Sequence, residues 1–156
     1  RILVPEADPL KLAVAHDQFQ DKNFHLIKPF PKTKETLKYL KDSGFLIAAV
    51  SNRSRESLLR SLKFVEIFDY FDAVVSADDV ANPKPHKEHL LTALRSIKAK
   101  PINSYMVGDT DLDILAGKSA KVKTVGVTYG LLGSEIKKYQ PDFIIDDIEE
   151  LLKILR

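Results

Sequence analysis

The chain has 156 residues, of which 44% are hydrophobic and 29% are charged, a composition typical of one globular domain. Its 24 basic and 22 acidic side chains give a formal net charge of +2, and the basic residues are spread along the chain, which argues against a nucleic-acid partner. No apolar run approaches the roughly 18 residues of a membrane span, so we expect no membrane partner. The absence of cysteine fits a cytoplasmic protein.

Predicted helices and strands alternate from Pro29 onward. Leucine spacing predicts a helix from Thr33 to Ser43, which ends at Gly44, and a strand follows from Phe45 to Val50. The later helices are predicted at Arg53–Leu62, at His86–Ile97, at Asp111–Ala120, after Ser134 and through Leu151, and the later strands begin at Asp72, Tyr105, Lys123 and Phe143. This alternation predicts an α/β fold with a doubly wound, mostly parallel sheet in three layers, whose strands share one carboxyl edge.

A Gly-Asp corner ends the strand that begins at Tyr105, and a second carboxylate follows four residues later. Asp109 then lies at the carboxyl end of the strand and Asp113 one turn into the next helix, where open α/β sheets bind ligands. Two carboxylates without a basic partner repel each other, and a Mg²⁺ ion bound with waters and a phosphate relieves that repulsion. The pattern predicts a metal site at Asp109 and Asp113. A loop aspartate before an acidic helix start is the simpler alternative.

Two other strand ends lead into polar residues. Ser51 and Asn52 follow an apolar strand, and a hydroxyl with backbone N–H groups at a helix start forms an anion site. In the alternative interpretation, Ser51, Asn52 or Ser54 only caps the helix that follows. Lys84 stands between two prolines, which fix the backbone on either side and present the lysine just before a helix. A solvated surface cation is its alternative role. Together these ends supply a hydroxyl, an ammonium and a carboxylate pair, the groups that a phosphoryl group needs.

In their order along the chain, these residues resemble three motifs of the haloacid dehalogenase-like hydrolases. Ser51 matches the second motif, Lys84 the third, and Gly108-Asp109-x-x-x-Asp113 the fourth. Further segments resemble the phosphoglycolate-phosphatase-like subgroup, namely Tyr70-Phe71-Asp72, Lys84-Pro85-His86, Ala116-Gly117 and Phe143-Ile144-Ile145-Asp146. The resemblance implies a Mg²⁺-dependent phosphomonoester hydrolase that acts on a small phosphorylated substrate through a phosphoaspartyl intermediate.

The resemblance also implies a role for each matched residue. Asp109 would ligate the metal, and Asp113 would ligate it or hold its water. Ser51 and Asn52 would bind the phosphoryl group. Lys84 would neutralise developing charge, so its loss should lower the reaction rate more than it lowers stability.

The family's first motif, an apolar strand ending in Asp-x-Asp, is not found in the chain. In the family this strand carries the nucleophile and lies between the strands that end at Ser51 and Asp109. Without it, buried backbone N–H and C=O groups would lack partners, at about 1 to 3 kcal/mol each.

Three locations for the nucleophile stay open. It lies upstream of Arg1, in a longer polypeptide, or Glu6 and Asp8 form a degenerate first motif, or Asp17 takes its place. With the first location, residues 1–28 are a remnant of the family's helical cap, or a linker helix, and 29–156 form the phosphatase-like core domain. The expected cap helix runs from Leu10 to Leu26.

Two other functions fit the same fold. A chain that lacks the nucleophile would be a catalytically inactive phosphate-binding scaffold. A metal-independent dehalogenase of the same superfamily is the second alternative, although dehalogenases lack the Gly-Asp-x-x-x-Asp carboxylates. The four histidines show no metal-ligand spacing, and we expect them to be solvated or on helix surfaces.

Overall fold

The computed structural model describes residues 23–155, and α-helices and β-strands alternate along this part of the chain. In chain order the elements are α1 (Thr33–Asp42), β1 (Ala48–Val50), α2 (Arg55–Phe64), β2 (Ala73–Val75), α3 (Glu88–Ser96), β3 (Tyr105–Gly108), α4 (Asp111–Ala120), β4 (Lys123–Val127), β5 (Phe143–Ile145) and α5 (Leu151–Ile154). The predicted order of elements is therefore confirmed, and α4 and β5 have the predicted bounds.

Several predicted elements differ in kind or length. The segment Gly133–Tyr139 forms a 3-10 helix where an α-helix was expected, and the closing helix begins as a 3-10 turn and is only four residues long. Strand β1 covers only the last three of six predicted residues. Of the expected cap helix, the described end at Phe24–Leu26 is a 3-10 turn, and the rest lies outside the described residues, as do Glu6, Asp8 and Asp17.

All the strand pairs are parallel, but they form two sheets. Strand β1 pairs with β2, and a second sheet has the order β3-β4-β5. Parallel strands joined by helices bring their carboxyl ends to one edge. The predicted α/β class with a parallel, helix-covered sheet is confirmed, and the division into two sheets is the feature that positions the site.

Helices cover both faces of the larger sheet. On one face, Leu40 of α1 and Leu151 of α5 pack with buried residues of β4 and β5. On the other face, Leu90 of α3 and Ala116 of α4 belong to a second apolar cluster. Because Val125 of β4 is fully buried, this strand lies at the centre of the three layers.

An apolar cleft separates β1 from β3. Its volume is about 660 Å³, and residues of both strands line it: Ala48, Ala49, Val50, Tyr105, Met106 and Val107. Within residues 23–155, no strand pairs with the cleft side of either β1 or β3. The chain leading into β1 is also partly open, since Phe45 and Leu46 are 38% and 56% exposed. The gap lies where the resemblance described above implies the missing central strand.

Candidate functional site

The carboxyl edges of the two sheets bring together three of the predicted residues. Ser51 follows β1, its backbone N–H donates to the carbonyl of Val75 in β2, and Lys84 precedes α3. Asp113 lies in the first turn of α4 and contacts Lys84 directly. Asp109 follows β3 at the same edge of the larger sheet. The structure therefore gathers Ser51, Lys84 and Asp113, with Asp109 at the start of the same loop.

Lys84 makes two contacts with its ammonium group. Nζ donates to Oδ1 of Asp113 at 2.6 Å and to the carbonyl oxygen of Val50 at 3.0 Å. Only 10% of the Lys84 side chain is exposed, so it is not the solvated surface cation of the alternative interpretation. An ammonium has three N–H donors, and two are used here. No partner among residues 23–155 uses the third donor, which can therefore bind a ligand.

Asp113 is nearly buried and uses both carboxylate oxygens. Oδ1 accepts from Lys84, whereas Oδ2 accepts from the backbone N–H of Thr110 at 3.1 Å and from its hydroxyl at 2.7 Å. Thr110 is the N-cap of α4, so Asp113 completes a capping box. The expectation that the two carboxylates lack a basic partner is therefore wrong for Asp113. The basic partner of Asp113 is Lys84, which lies 29 positions earlier in the chain. The spacing of the acidic residues gives no information about such a distant contact.

Asp109 is held by the loop that follows β4. Its Oδ2 accepts a 2.8 Å hydrogen bond from the backbone N–H of Leu131. Gly130 lies so close that an added Cβ atom there would be 2.1 Å from the Cβ of Asp109. The other carboxylate oxygen has no hydrogen-bond donor among residues 23–155. Nearby Tyr129 is half-buried, and burial raises its pKa to about 12, with smaller contributions from Asp147 and Asp109. At neutral pH the Tyr129 phenol is therefore uncharged, and among the described residues Asp109 keeps one carboxylate oxygen without a hydrogen-bond donor.

Ser54, rather than Ser51 or Asn52, caps helix α2. The Ser54 hydroxyl accepts from the backbone N–H of Ser57, and the helix begins at Arg55. The Ser51 hydroxyl accepts a 3.2 Å bond from the N–H of Arg53 in the turn before the helix. The capping alternative therefore does not apply to Ser51.

The Asn52 carboxamide bonds to the backbone of Lys84. Its Nδ2 donates to the Lys84 carbonyl at 2.8 Å, and its Oδ1 accepts from the Lys84 N–H at 3.0 Å. These two bonds use Oδ1 and one of the two Nδ2 hydrogens, so the second Nδ2 hydrogen and the backbone N–H of Asn52 are the groups that can contact a phosphate. The structure thus links Asn52 to the predicted site through Lys84.

His89 is a residue of the site that the sequence did not reveal. It is fully buried, contrary to the expected solvated or helix-surface position, and its Nδ1 accepts from the backbone N–H of Lys84 at 3.2 Å. The available signal was its position in α3, one turn before Ala93 and two turns before Ile97 at the end of the helix, on the apolar side. A histidine on such a face is desolvated, and this burial lowers its pKa below the usual value.

The described residues supply a small set of acidic groups at this edge. Within residues 23–155, no cluster of three or more His, Asp or Glu side chains has the arrangement of a metal site. A metal held by Asp109 would therefore need further ligands from a substrate, water or residues outside this range.

In the same part of the chain, no helix has both the length and the apolar character needed to cross a membrane.

Comparison with known proteins identifies the family. A model described as haloacid dehalogenase-like hydrolase matches residues 3–127. The chain is 36% identical over 154 residues to the pyrophosphatase PpaX of Bacillus cereus (strain ATCC 10987 / NRS 248). The aligned region covers 97% of this chain and 71% of that protein.

Solved structures agree with this result. A predicted phosphoglycolate phosphatase from Haemophilus somnus 129PT is 31% identical with a TM-score of 0.76, over 81% of this chain and 57% of that one. A HAD (haloacid dehalogenase) phosphatase from Thermococcus onnurineus is 29% identical with a TM-score of 0.77, over 90% of this chain and 64% of that one. This chain thus spans less than two thirds of both proteins. The predicted family and enzyme class, a haloacid dehalogenase-like phosphatase, are confirmed: the chain belongs to the haloacid dehalogenase-like hydrolases.

Proposed function

We propose that this chain forms the core of a Mg²⁺-dependent phosphomonoester hydrolase that acts on a small phosphorylated substrate. The observation that supports this most is the placement of Lys84. Its buried ammonium is fixed by Asp113 and Val50 and keeps one N–H donor, at the edge where Ser51 and Asp109 also lie. A fixed cation beside a hydroxyl stabilises the charge of a phosphoryl group in its transition state.

Asp109 is the proposed protein ligand of the Mg²⁺ ion. Its open carboxylate oxygen is a hard donor of the kind that Mg²⁺ prefers, and its second oxygen is fixed by Leu131, so the side chain is preorganised. Both carboxylate oxygens of Asp113 already accept hydrogen bonds. This favours an indirect role for Asp113, in which it binds a water molecule of the metal or holds Lys84. When bound, Mg²⁺ would supply positive charge to the phosphoryl oxygens.

Ser51 and Lys84 are the proposed phosphate-binding residues. The Ser51 hydroxyl accepts from Arg53 and can still donate its proton to a phosphoryl oxygen. At an effective dielectric near 20, an ammonium about 4 Å from a phosphoryl oxygen contributes on the order of 4 kcal/mol. The backbone N–H of Asn52 is the third proposed contact.

The cleft between β1 and β3 is the proposed position of the strand that carries the nucleophile. Among the described residues, no strand pairs with the side of β1 or β3 that faces the cleft, and the carboxyl ends of these strands lead to Ser51 and Asp109. A parallel strand in the cleft would bring its own carboxyl end to this edge. The strand comes from outside the described residues, either from residues 1–22, with Glu6, Asp8 or Asp17 as nucleophile, or from sequence upstream of Arg1.

Borohydride trapping would locate the nucleophile. Reduction of an acyl phosphate converts a phosphorylated aspartate into homoserine, and peptide mass spectrometry identifies the modified position. We expect the modification outside residues 23–155. A homoserine at Asp109 or Asp113 would contradict the assigned roles.

The main test of the function is phosphate release from p-nitrophenyl phosphate. We expect activity that chelation abolishes and Mg²⁺ restores, and that Asp109→Asn lowers at least 100-fold. Asp111→Asn is the matched control, since Asp111 lies in the same helix start and makes none of these contacts. Metal-independent turnover would indicate the dehalogenase-like alternative. No turnover would indicate the inactive scaffold.

The substrate is proposed at the level of chemical class. One relative carries the name pyrophosphatase and one structural neighbour the name phosphoglycolate phosphatase. Inorganic pyrophosphate and phosphoglycolate are therefore the two compounds to compare with p-nitrophenyl phosphate by kcat/KM. A preference of tenfold or more would assign the substrate class.

A further inference from the structure

The backbone of Lys84 is held by two side chains from different elements. Asn52, which follows β1, bonds to both polar groups of this residue, at 2.8 Å to its carbonyl and 3.0 Å to its N–H. His89 of α3 also accepts from the same N–H at 3.2 Å. A loop residue before a helix would otherwise leave these groups to water. The Lys84 N–H is thus shared between two acceptors, and the backbone of this residue, like its ammonium group, has more than one partner.

His89 has a defined tautomer. The N–H of Lys84 can only donate, so Nδ1 of His89 accepts, and the proton resides on Nε2. Nε2 in turn donates to the carbonyl oxygen of Ser76 at 2.7 Å. The imidazole is fully buried and bridges the end of β2 to the loop that carries Lys84. Both ring nitrogens are thus used, one to orient the ring and one to hold the lysine.

We infer that Asn52 and His89 are positioning residues that set the location of the Lys84 ammonium relative to the Ser51 hydroxyl. The inference rests on the proposed function of Lys84 and Ser51 at a phosphate site. Asn52 is the residue directly after Ser51, so its carboxamide ties the hydroxyl-bearing turn to the lysine-bearing loop. His89 ties the same loop to β2.

The contacts at both ends of Lys84 support this role. A lysine side chain has four rotatable methylene groups and is costly to order. Here Asn52 and His89 fix its backbone, while Val50 and Asp113 fix its ammonium. Loss of either backbone contact would allow the loop to shift, and a displacement near 1 Å is sufficient to lower catalysis strongly.

Nuclear magnetic resonance of the lysine ammonium groups provides a direct test. In protein with ¹⁵N-labelled lysine, the buried Lys84 should give a slowly exchanging signal, which is assigned by its loss in Lys84→Arg. We expect this signal to broaden or merge with the exposed lysines in Asn52→Ala. Asn82→Ala is the matched control, because the Asn82 carboxamide donates to Glu88 in the same loop and does not touch Lys84.

Two substitutions separate the two hydrogen bonds of His89. His89→Asn retains an acceptor near the position of Nδ1, whereas His89→Gln retains a donor near the position of Nε2. We expect the Lys84 signal to persist in His89→Asn and to be lost in His89→Gln, while the exposed His86→Gln remains like the wild type. An unaltered Lys84 signal in both Asn52→Ala and His89→Gln would overturn the inference.

Titration with inorganic phosphate and Mg²⁺, followed by ³¹P resonance, connects the positioning to binding. We expect phosphate affinity to fall about tenfold in Asn52→Ala and about threefold in His89→Gln, with Asn82→Ala unchanged. Wild-type protein that binds no phosphate would contradict the proposed function, and the Lys84 signal would still decide the positioning inference. Retention of wild-type affinity by variants whose Lys84 signal is lost would overturn the link between positioning and binding.

Discussion

The Nζ atom of Lys84 lies 2.6 Å from Oδ1 of Asp113, and their side chains are 10% and 7% exposed. A buried ion pair of this kind adds little stability compared with apolar residues of similar size, but removal of one partner leaves the other charge buried and unpaired. The residue proposed to bind phosphate is therefore also required by the fold. Its substitutions have to be interpreted with both roles in mind.

Lys84→Met should lower the free energy of unfolding by about 3 to 5 kcal/mol, because the Asp113 carboxylate loses its counter-charge. Lys84→Met should therefore lower the stability of the fold in addition to the reaction rate, whose decrease was expected from the sequence. Urea denaturation at pH 7 measures the change, and Lys38→Met, which removes an exposed partner of Asp42, is the control and should change little. The double variant Lys84→Met/Asp113→Asn should be more stable than Lys84→Met alone. Additive losses in the double variant would contradict the pairing.

Gly130→Ala should displace Asp109. The added Cβ would lie 2.1 Å from the Cβ of Asp109, so the loop after β4 or the carboxylate has to move. We expect Mg²⁺-dependent phosphatase activity to fall at least tenfold, with an increased Mg²⁺ requirement. Leu131→Ala is the control: its side chain is 81% exposed, and the N–H that binds Asp109 is retained. Normal Mg²⁺ dependence in Gly130→Ala would argue against Asp109 as the ligand.

Stability should decrease as the pH falls below about 6.5, the usual pKa of histidine, because the pKa of His89 is lowered in the folded state. The unfolded chain then binds a proton that the folded chain does not, so the free energy of unfolding falls by up to about 1.4 kcal/mol per pH unit until the folded pKa is reached. His89→Asn should remove this slope, and His86→Asn should keep it. Urea midpoints between pH 5 and 8 test this, and an unchanged slope in His89→Asn would contradict it.

Asp142→Ala should destabilise the pairing of β4 with the segment before β5. Oδ2 of Asp142 accepts from both the N–H and the hydroxyl of Thr124, at 2.7 Å each, and Thr124 is fully buried. Loss of the acceptor leaves two buried donors without a partner, at a cost of about 1 to 3 kcal/mol in the free energy of unfolding. Asp146→Ala, at the exposed end of β5, is the comparison and should cost less.

The order of elements was predictable because apolar periodicity and glycine stops are local signals. Thr33 to Gly44 and Asp111–Ala120 were placed almost to the residue, since each helix has a clear end or cap. Gly133–Tyr139 was predicted less well. Its apolar residues do not distinguish a 3-10 helix from an α-helix.

The contacts within the site were not predictable in the same way. Asp113 meets Lys84 across 29 positions and Asn52 meets Lys84 across 32, and no spacing rule covers such distances. The burial of His89 depends on the carbonyl of Ser76, a backbone group that the side-chain pattern does not reveal. The residue types of the site were therefore predictable, whereas their pairing required the structure.

Strands β1 and β3 face each other across an apolar cleft, and the polar contacts of Lys84 reach both sides of it: Val50 and Asn52 on one, Asp113 on the other. Occupancy of the site and alignment of the two half-sheets are thus thermodynamically linked. An anion that binds the remaining N–H donor of Lys84 leaves its bonds to Val50 and Asp113 in place and so favours the aligned arrangement of the two half-sheets. A strand that enters the cleft favours the same arrangement. By reciprocity, filling the cleft should raise the affinity of the site for phosphate.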